Sequence, residues 1–281
     1  MMKKKRRIGS IIFHIVCIMF AITSLYPILW MLSSSLKESS QVFVDASNLI
    51  PWDFKIENYI NGWKGFGGIS FATFFKNTFI IVFFSVLGVV ITCPLVAYGF
   101  ARTEFKFKKI WFFTIMISLM LPAQVVMVPQ YIMFNKLGWI DTYLPLIVPL
   151  WFGSAFFIFQ HMQFIRSIPI ELDEAAYLDG ASKFTVYTRV ILPLIKPSII
   201  TSVIFQFYWK WEDFFGPLIY LTSPKKYTVS VALKLFSDPT SMTDWGAMFA
   251  MSILSLLPPV LLFFFFQKYI VEGISTSGLK G

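Results

Sequence analysis

The sequence predicts an all-α, polytopic membrane protein with six transmembrane helices and both termini in the cytoplasm. Hydrophobic residues form 57% of the 281-residue chain and charged residues only 14%, whereas a soluble domain carries about 25% charged residues. The apolar residues lie in long blocks, and a bilayer core of roughly 30 Å needs about 20 apolar residues per helix. The lysines and arginines cluster between these blocks, as expected where they set membrane orientation.

Each of the six blocks is apolar around the whole helix circumference, which is typical of helices buried in lipid or in a bundle. None alternates between apolar and polar residues as the strands of a membrane barrel do. The predicted spans are residues 8–32, 74–100, 110–134, 143–164, 199–221 and 245–270. The predicted organisation is therefore a basic N-terminus (1–7), a first transmembrane helix (8–32), an extracytoplasmic loop (33–70), a five-helix transmembrane domain (71–270) with a cytoplasmic loop (165–197), and a cytoplasmic tail (271–281).

The first block follows five consecutive cations, residues 3–7, and so resembles a secretory signal peptide. Its apolar run continues to about Leu32, beyond the length of a signal-peptide core, and shows no small-residue cleavage site. We therefore expect an uncleaved transmembrane helix.

Orientation follows from the distribution of cations. With the N-terminus inside, fifteen lysines and arginines face the cytoplasm and seven face the outside, which agrees with the positive-inside rule. The formal net charge of +9 is thereby explained by topology, so we expect contact with membrane lipid and no nucleic-acid partner.

The chain lacks the residue patterns of an enzyme or of a metal site. Cys17 and Cys93 are far apart inside apolar blocks, and His14 and His161 are isolated in sequence, so we expect no disulfide and no metal. No G-x-x-x-x-G-K-[ST] loop is present to cradle ATP phosphates, and no G-x-S-x-G or H-E-x-x-H motif occurs. We expect no catalytic residue and no cofactor bound by this chain.

The cytoplasmic loop 165–197 is too long and too regular for a plain connector. Pro169 suits a first helical position, Gly180 suits a helix stop, and Ser182 suits the cap of a second helix that runs to about Leu192, before Pro193. Ala175 and Ala176 offer a small surface with acidic neighbours. This favours docking to a cytosolic protein over lying on the membrane, because anionic headgroups attract basic helices.

The same loop carries a motif. Glu174-Ala175-Ala176, three residues, Gly180, nine residues and Val190-Ile191-Leu192-Pro193 resemble the E-A-A-x3-G-x9-I-x-L-P loop of ABC-importer permeases, with Val190 at the isoleucine position. Further segments are similar to the carbohydrate branch of that family, to which the maltose permease subunits belong, and the resemblance covers nearly the whole chain after Ile8. These segments are residues 97–102, 136–139, 168–172, 271–273 and 280–281.

The resemblance implies a type I ABC-importer permease fold in a bacterial cytoplasmic membrane. It also implies an assembly with a second homologous permease subunit, two ATPase subunits that bind ATP and Mg, and an extracytoplasmic sugar-binding protein. The coupling role falls, by resemblance, on Glu174, Ala175, Ala176, Asp179, Gly180 and Pro193.

The fifth block contains charged residues that are costly in a bilayer, by roughly 2.5–3.5 kcal/mol each at its centre. They either line an aqueous substrate pathway, where tryptophans stack on sugar rings, or form an interfacial belt; both interpretations stay open. The candidate pathway residues are Gln206, Tyr208, Trp209, Lys210, Trp211, Glu212 and Asp213.

Two other function classes are weighed against the permease. An ion-coupled secondary transporter usually has acids deep in several spans or an inverted repeat, whereas here the acids cluster in one span. A membrane-embedded enzyme would need a nucleophile with its base, and the sequence shows no such pair. The substrate most consistent with the resemblance is a sugar, with an oligosaccharide first and polyols or glycerol phosphates as the alternatives.

Overall fold

The computed structural model describes residues 2–236 and 244–278. Side chains are described for residues 10–122, 124–236 and 244–268, so the predicted basic N-terminus and tail lie outside the described side chains. Within those ranges the regular elements are helices. They are α1 (Met2–Ser34), α2 (Glu57–Lys64), α3 (Phe71–Arg102), α4 (Lys108–Met120), α5 (Ala123–Lys136), α6 (Leu144–Ile147), α7 (Ala155–Ser167), α8 (Glu171–Leu178), α9 (Lys183–Val186), α10 (Leu192–Leu194), α11 (Lys196–Trp211), α12 (Phe215–Tyr220), α13 (Val229–Phe236) and α14 (Trp245–Gly278), with 3-10 turns at Val148–Phe152 and Pro224–Lys226 and a π-helical turn at Tyr187–Ile191.

Four helical segments are long and apolar enough to cross a membrane: Ser10–Ser34, Phe71–Arg102, Leu144–Ser167 and Trp245–Lys268. Two bent helix pairs bring the number to six if each pair is one span. The apolar side chains of residues 11–29 in α1 and of residues 260–266 in α14 are largely exposed. Exposure of this kind over such lengths is expected of surfaces that face lipid.

The third predicted span, residues 110–134, is broken in the structure. Leu121 and Pro122 have extended backbones between α4 and α5. Proline disfavours the helical conformation in the residue before it and removes a backbone donor. A hydropathy pattern does not detect this break because both halves are apolar.

The fifth predicted span, residues 199–221, is also shorter than expected. Helix α11 ends at Trp211, so Glu212 and Asp213 lie beyond its end. The Asp213 carboxylate accepts the backbone N–H of Gly216 at 3.0 Å and thereby caps the start of α12. The sequence placed these charges inside the helix, whereas the structure places them at a break.

The described residues divide into two compact units, one of residues 2–71, 232–236 and 244–257 and one of residues 72–231 and 258–278. In the first unit, the buried Lys37 ammonium donates to the carbonyls of Asp45 and Asn48 at 2.6 Å each. The buried Asn58 amide donates to the carbonyls of Ser35 and Lys37. The segment predicted as an extracytoplasmic loop is thus folded on itself and carries α2.

The second unit has an apolar core that joins the C-terminal half of α3 to α7 and to the segment 186–195. Its fully buried members include Val89, Phe157, Ile165, Ile191 and Ile195. At the other end of α3, the Asn77 amide donates to the carbonyls of Lys225 and Tyr227 at 2.9 Å. Helix α3 is therefore fixed at both ends within this unit.

Asp141 holds a turn of the second unit in place. Its carboxylate accepts the backbone N–H groups of Thr222 and Ser223 at 3.0 and 2.9 Å, the Ser223 hydroxyl at 2.6 Å and the Lys226 ammonium at 2.8 Å. These donors, the Lys226 ammonium foremost, hold the pKa of Asp141 well below its usual value. The carboxylate remains charged at every physiological pH and pins residues 222–226.

Candidate functional site

The candidate site begins with a short helix that projects between two membrane segments, and we call residues 169–181 the knob. Helix α8 carries Glu171, Asp173 and Glu174 in its first turn, where carboxylates interact favourably with the helix dipole. Gly180 has φ +79°, a conformation that costs other L-residues roughly 1–2 kcal/mol. The predicted helix and glycine turn are confirmed, but the predicted place of Pro169 is wrong: the helix begins at Glu171 after the N-cap residue Ile170, so Pro169 precedes it.

The predicted cap of the second helix is also confirmed, because the Ser182 hydroxyl accepts the N–H of Thr185 at 3.2 Å. Its predicted end before Pro193 is wrong. Helix α9 continues through a π-helical turn at Tyr187–Ile191 into α10, so Pro193 lies inside the helical run. The wider π turn shifts the hydrogen-bonding register, and Pro193 then occupies the first turn of α10, where its missing N–H is not needed.

The residues predicted to couple to another protein differ in exposure. Glu174, Ala175, Asp179, Gly180 and Pro193 are exposed, whereas Ala176 is half-buried and packs against the core of the second unit. Ala176 therefore anchors the knob, and Ala175 is the alanine that a partner can reach.

Two further side chains mark the exposed surface of the knob region. Leu178 is 90% exposed and Phe184 is 69% exposed. Sequence reasoning did not single them out. No sequence signal distinguishes them, because the loop contains many other apolar residues and single exposed apolar side chains are common.

A buried ion pair ties the knob to the end of α3. The Arg102 Nε lies 3.1 Å from Asp173 Oδ2, with side-chain exposures of 7% and 2%. A second guanidinium nitrogen of Arg102 donates to the Ile168 carbonyl at 2.6 Å. Burial raises the pKa of Asp173, and the Arg102 guanidinium counteracts part of that rise. These two contacts thus hold the start of the knob against the end of α3.

Tyr98, one helical turn before Arg102, holds the other side of the knob. Its hydroxyl donates to the Lys183 carbonyl at 3.2 Å and lies 3.4 Å from the Tyr177 hydroxyl. Its ring packs against Tyr187 with centroids 5.3 Å apart. Because Tyr98 and Arg102 are four residues apart, they lie on one face of α3. Both residues therefore join the knob to the same face of that helix.

The polar cluster of the fifth predicted span is arranged around Asp213. The Lys210 ammonium pairs with Asp213 Oδ2 at 2.9 Å, and both side chains are mostly buried. The Ser230 hydroxyl donates to the Asp213 carbonyl at 2.7 Å. Two of the three charges of the predicted fifth span therefore neutralise each other.

The aromatic residues of the cluster fall into two groups. Trp211 is buried and packs on Phe75, Phe79 and Phe207. Tyr208 and Trp209 are 45% and 44% exposed. Gln206 is buried and Glu212 is exposed. Of the seven candidate pathway residues, Tyr208, Trp209 and Glu212 offer an accessible surface, whereas the Trp211 ring is covered by phenylalanines.

The fold has a counterpart among solved structures. It matches a chain of a bacterial ABC transporter involved in the import of the acidic polysaccharide alginate, with a TM-score of 0.81 and 23% sequence identity. The match covers 94% of this chain and 96% of that chain. The two chains therefore share one architecture.

The family follows from sequence. Residues 90–276 match the family described as the binding-protein-dependent transport system inner membrane component, and the chain belongs to this family of multi-pass membrane proteins. It is 34% identical to the probable ABC transporter permease protein YurM of Bacillus subtilis, over 99% of this chain and 91% of the relative. The arabinooligosaccharides transport system permease protein AraQ of Bacillus subtilis is 31% identical over 94% of this chain and 93% of its own length. The sn-glycerol-3-phosphate transport system permease protein UgpE of Brucella melitensis is 30% identical over 97% and 98%.

Proposed function

We propose that this chain is a membrane-spanning permease subunit of an ATP-driven sugar importer, with an oligosaccharide as its substrate. Family membership supports the permease class. Support for the sugar comes from the relative named for arabinooligosaccharides and from the fold shared with an importer of alginate, a polysaccharide. The substrate is thus proposed from the names of relatives, and the coupling role from the geometry of the knob.

In the proposed topology the bent pair of α4 and α5 counts as one span and α11 as another, which with the four long helical segments gives six spans with both termini in the cytoplasm. The excess of lysines and arginines on the knob side of the chain supports this orientation. The ends of α3 and α7 and the knob then face the cytoplasm of a bacterium, and residues 33–70 face the outside.

The observation that carries the proposal is the clamp of Arg102 and Tyr98 on the knob. On the knob, Glu174 and Ala175 are exposed and accessible to a partner, while the buried Asp173 is fixed to α3. We propose that ATPase subunits dock on this surface and that α3 carries the movement into the membrane. ATP and Mg bind those subunits, and this chain performs no catalysis.

The proposed assembly contains this chain, a second homologous permease subunit, two ATPase subunits and an extracytoplasmic binding protein. A solved relative of the same fold is described in complex with a periplasmic protein that carries an alginate pentasaccharide. Each permease subunit would supply half of the pathway. In this chain Tyr208, Trp209 and Glu212 are the accessible candidates for substrate contact.

The docking step is tested by co-purification of the ATPase with the full chain. Ala175→Arg places a long cation on the exposed surface, and Glu174→Lys reverses its charge, so we expect at least tenfold less retained ATPase, since like-charge or steric mismatch costs several kcal/mol. Glu57→Lys, an exposed charge reversal in α2, is the matched control and should retain the ATPase. Undiminished ATPase retention and uptake in both knob variants would contradict the proposal.

Energy coupling separates the permease from an ion-coupled transporter. Uptake by the proposed importer should stop when ATP is depleted. After an uncoupler is added, uptake should continue for as long as ATP remains. Uptake that survives ATP depletion and collapses with the uncoupler would favour the secondary transporter instead.

A further inference from the structure

A cavity of about 580 Å³ opens where α3 ends, α4 begins and α7 ends. Cations and aromatic rings share its lining, and neither the knob nor the polar cluster of α11 contributes to it. The lining residues are Phe100, Glu104, Phe105, Phe107, Lys108, Lys109, Ile110, Phe112 and Arg166.

The cavity carries an excess of positive charge. Lys108 pairs with Glu104 at 2.8 Å, which leaves Lys109 and Arg166 as the other charged groups of the lining. Both are exposed, and among the described side chains neither forms an ion pair with a carboxylate. The Arg166 guanidinium lies 6.0 Å from the centroid of the Phe112 ring, which keeps it at the cavity wall.

The backbone adds to the positive potential. Lys108 and Lys109 occupy the first turn of α4, which contains no acidic residue, and its N-cap residue Phe107 makes no side-chain capping hydrogen bond. Cations at a helix N-terminus are repelled by the helix dipole, whereas an anion there is stabilised. An anion in the cavity would be attracted by Lys109, Arg166 and the dipole together.

An apolar track leads away from the cavity along α4. Ile110, Phe113 and Ile117 are 60%, 64% and 42% exposed, and their spacing of three and four residues places them on one helix face. Because α3, α4 and α7 are parts of candidate membrane spans that end or begin here, the cavity lies at the edge of the bilayer. The exposed apolar face of α4 that leads away from the cavity is suited to an acyl chain.

We propose that this cavity binds the headgroup of an anionic phospholipid, whose phosphate contacts Lys109 and Arg166 and whose acyl chain lies along Ile110, Phe113 and Ile117. Basic pockets between transmembrane helices are chemically suited to anionic headgroups. The occupant is a lipid rather than free phosphate because the anion site and the apolar track are continuous. This inference concerns a site separate from the proposed docking and transport surfaces.

The test is a binding titration by native mass spectrometry of the purified, delipidated full chain with phosphatidylglycerol, with phosphatidylcholine and with inorganic phosphate. We expect phosphatidylglycerol to bind more tightly than phosphatidylcholine. Lys109→Gln combined with Arg166→Gln should weaken phosphatidylglycerol binding by about 30-fold, since each cation near the surface contributes on the order of 1 kcal/mol.

The matched control removes the same charge elsewhere. Lys136→Gln combined with Lys225→Gln alters two exposed lysines outside the cavity and should leave phosphatidylglycerol binding unchanged. Arg166→Lys retains the charge and should keep most of the affinity. Circular dichroism of each variant verifies that the helices are intact.

Three results would overturn the proposal. One is equal binding of the two lipids, and another is an equal loss of affinity in the cavity variant and the control variant. The third is inorganic phosphate that binds the cavity as tightly as phosphatidylglycerol, which would show an anion site without a lipid component.

Discussion

At the residue scale, the account depends on the buried pair of Arg102 and Asp173. Removing one partner of such a pair leaves an uncompensated buried charge and typically costs about 3–5 kcal/mol. We therefore expect Arg102→Met to reduce the free energy of unfolding by that order. The double variant Arg102→Met, Asp173→Leu should recover most of the loss. Unfolding in a denaturing detergent measures both.

The control is the pair of Lys108 and Glu104, in which the Glu104 side chain is 90% exposed. Glu104→Gln should cost no more than about 1 kcal/mol. If Arg102→Met were equally mild, the pair would not fasten the knob.

The stability lost in Arg102→Met should also depend on pH. Without Arg102 the folded-state pKa of Asp173 should rise further above its unfolded value of about 3.9. A carboxyl with a raised folded pKa penalises folding once it ionises, so the penalty grows as pH rises from the unfolded toward the folded pKa. Arg102→Met should therefore lose more stability at pH 8 than at pH 5. An identical loss at both pH values would contradict the role of a buried charge.

Asp141 gives a second residue-scale prediction. Its carboxylate is held charged by four donors, so its stabilising effect is present above pH 4 and is lost only as pH falls toward its lowered folded pKa. Asp141→Asn keeps the shape and tolerates φ +60°, but removes the charge. We expect faster hydrogen exchange at the amides of Thr222 and Ser223, and unchanged exchange there would contradict the pinning role.

These pairings show what the sequence could not provide at this scale. Arg102 and Asp173 are 71 residues apart in the chain, and no local pattern links them. The motif predicted that Glu174 and Ala175 lie in a helix. The burial of Ala176 and of Trp211 could not be predicted in this way, because it depends on the packing of neighbouring elements.

At the element scale, the glycine turn after α8 sets the shape of the knob. A Cβ at Gly180 would meet no atom within 4 Å, so its positive φ is the constraint on substitution. Gly180→Ala should reduce the free energy of unfolding by about 1–2 kcal/mol. Gly99→Ala is the matched control, since Gly99 also has open space but lies in a helix without positive φ. It should stabilise the chain by about 0.5–1 kcal/mol. Equal effects of the two substitutions would contradict the assigned role of Gly180.

The elements also show where a sequence pattern is sufficient and where it fails. Long apolar runs located α1, α3 and α14, because burial in lipid depends on composition. The breaks at Pro122 and at Asp213 did not follow from hydropathy. The first depends on the backbone restriction before proline, and the second depends on a carboxylate that caps the following helix.

At the scale of the whole molecule, α3 is held by contacts at both of its ends. One end is clamped to the knob by Tyr98 and Arg102, and the other end contacts the segment 225–229 through Asn77 and Thr78. In the proposed topology these ends lie on opposite sides of the membrane. Helix α3 would therefore carry movement from the ATPase side toward the outer mouth of the pathway.

The most direct test of this account is thiol labelling of single-cysteine variants in membrane vesicles of known orientation. Cys17 and Cys93 are first replaced by alanine, and a cysteine is then introduced by Glu174→Cys or by Lys225→Cys, both at exposed positions. A membrane-impermeant reagent should label position 174 in inverted vesicles and position 225 in right-side-out vesicles, and bound ATPase should protect position 174. Labelling of position 174 from the outside would contradict the central claim that the knob faces the cytoplasm and receives the ATPase.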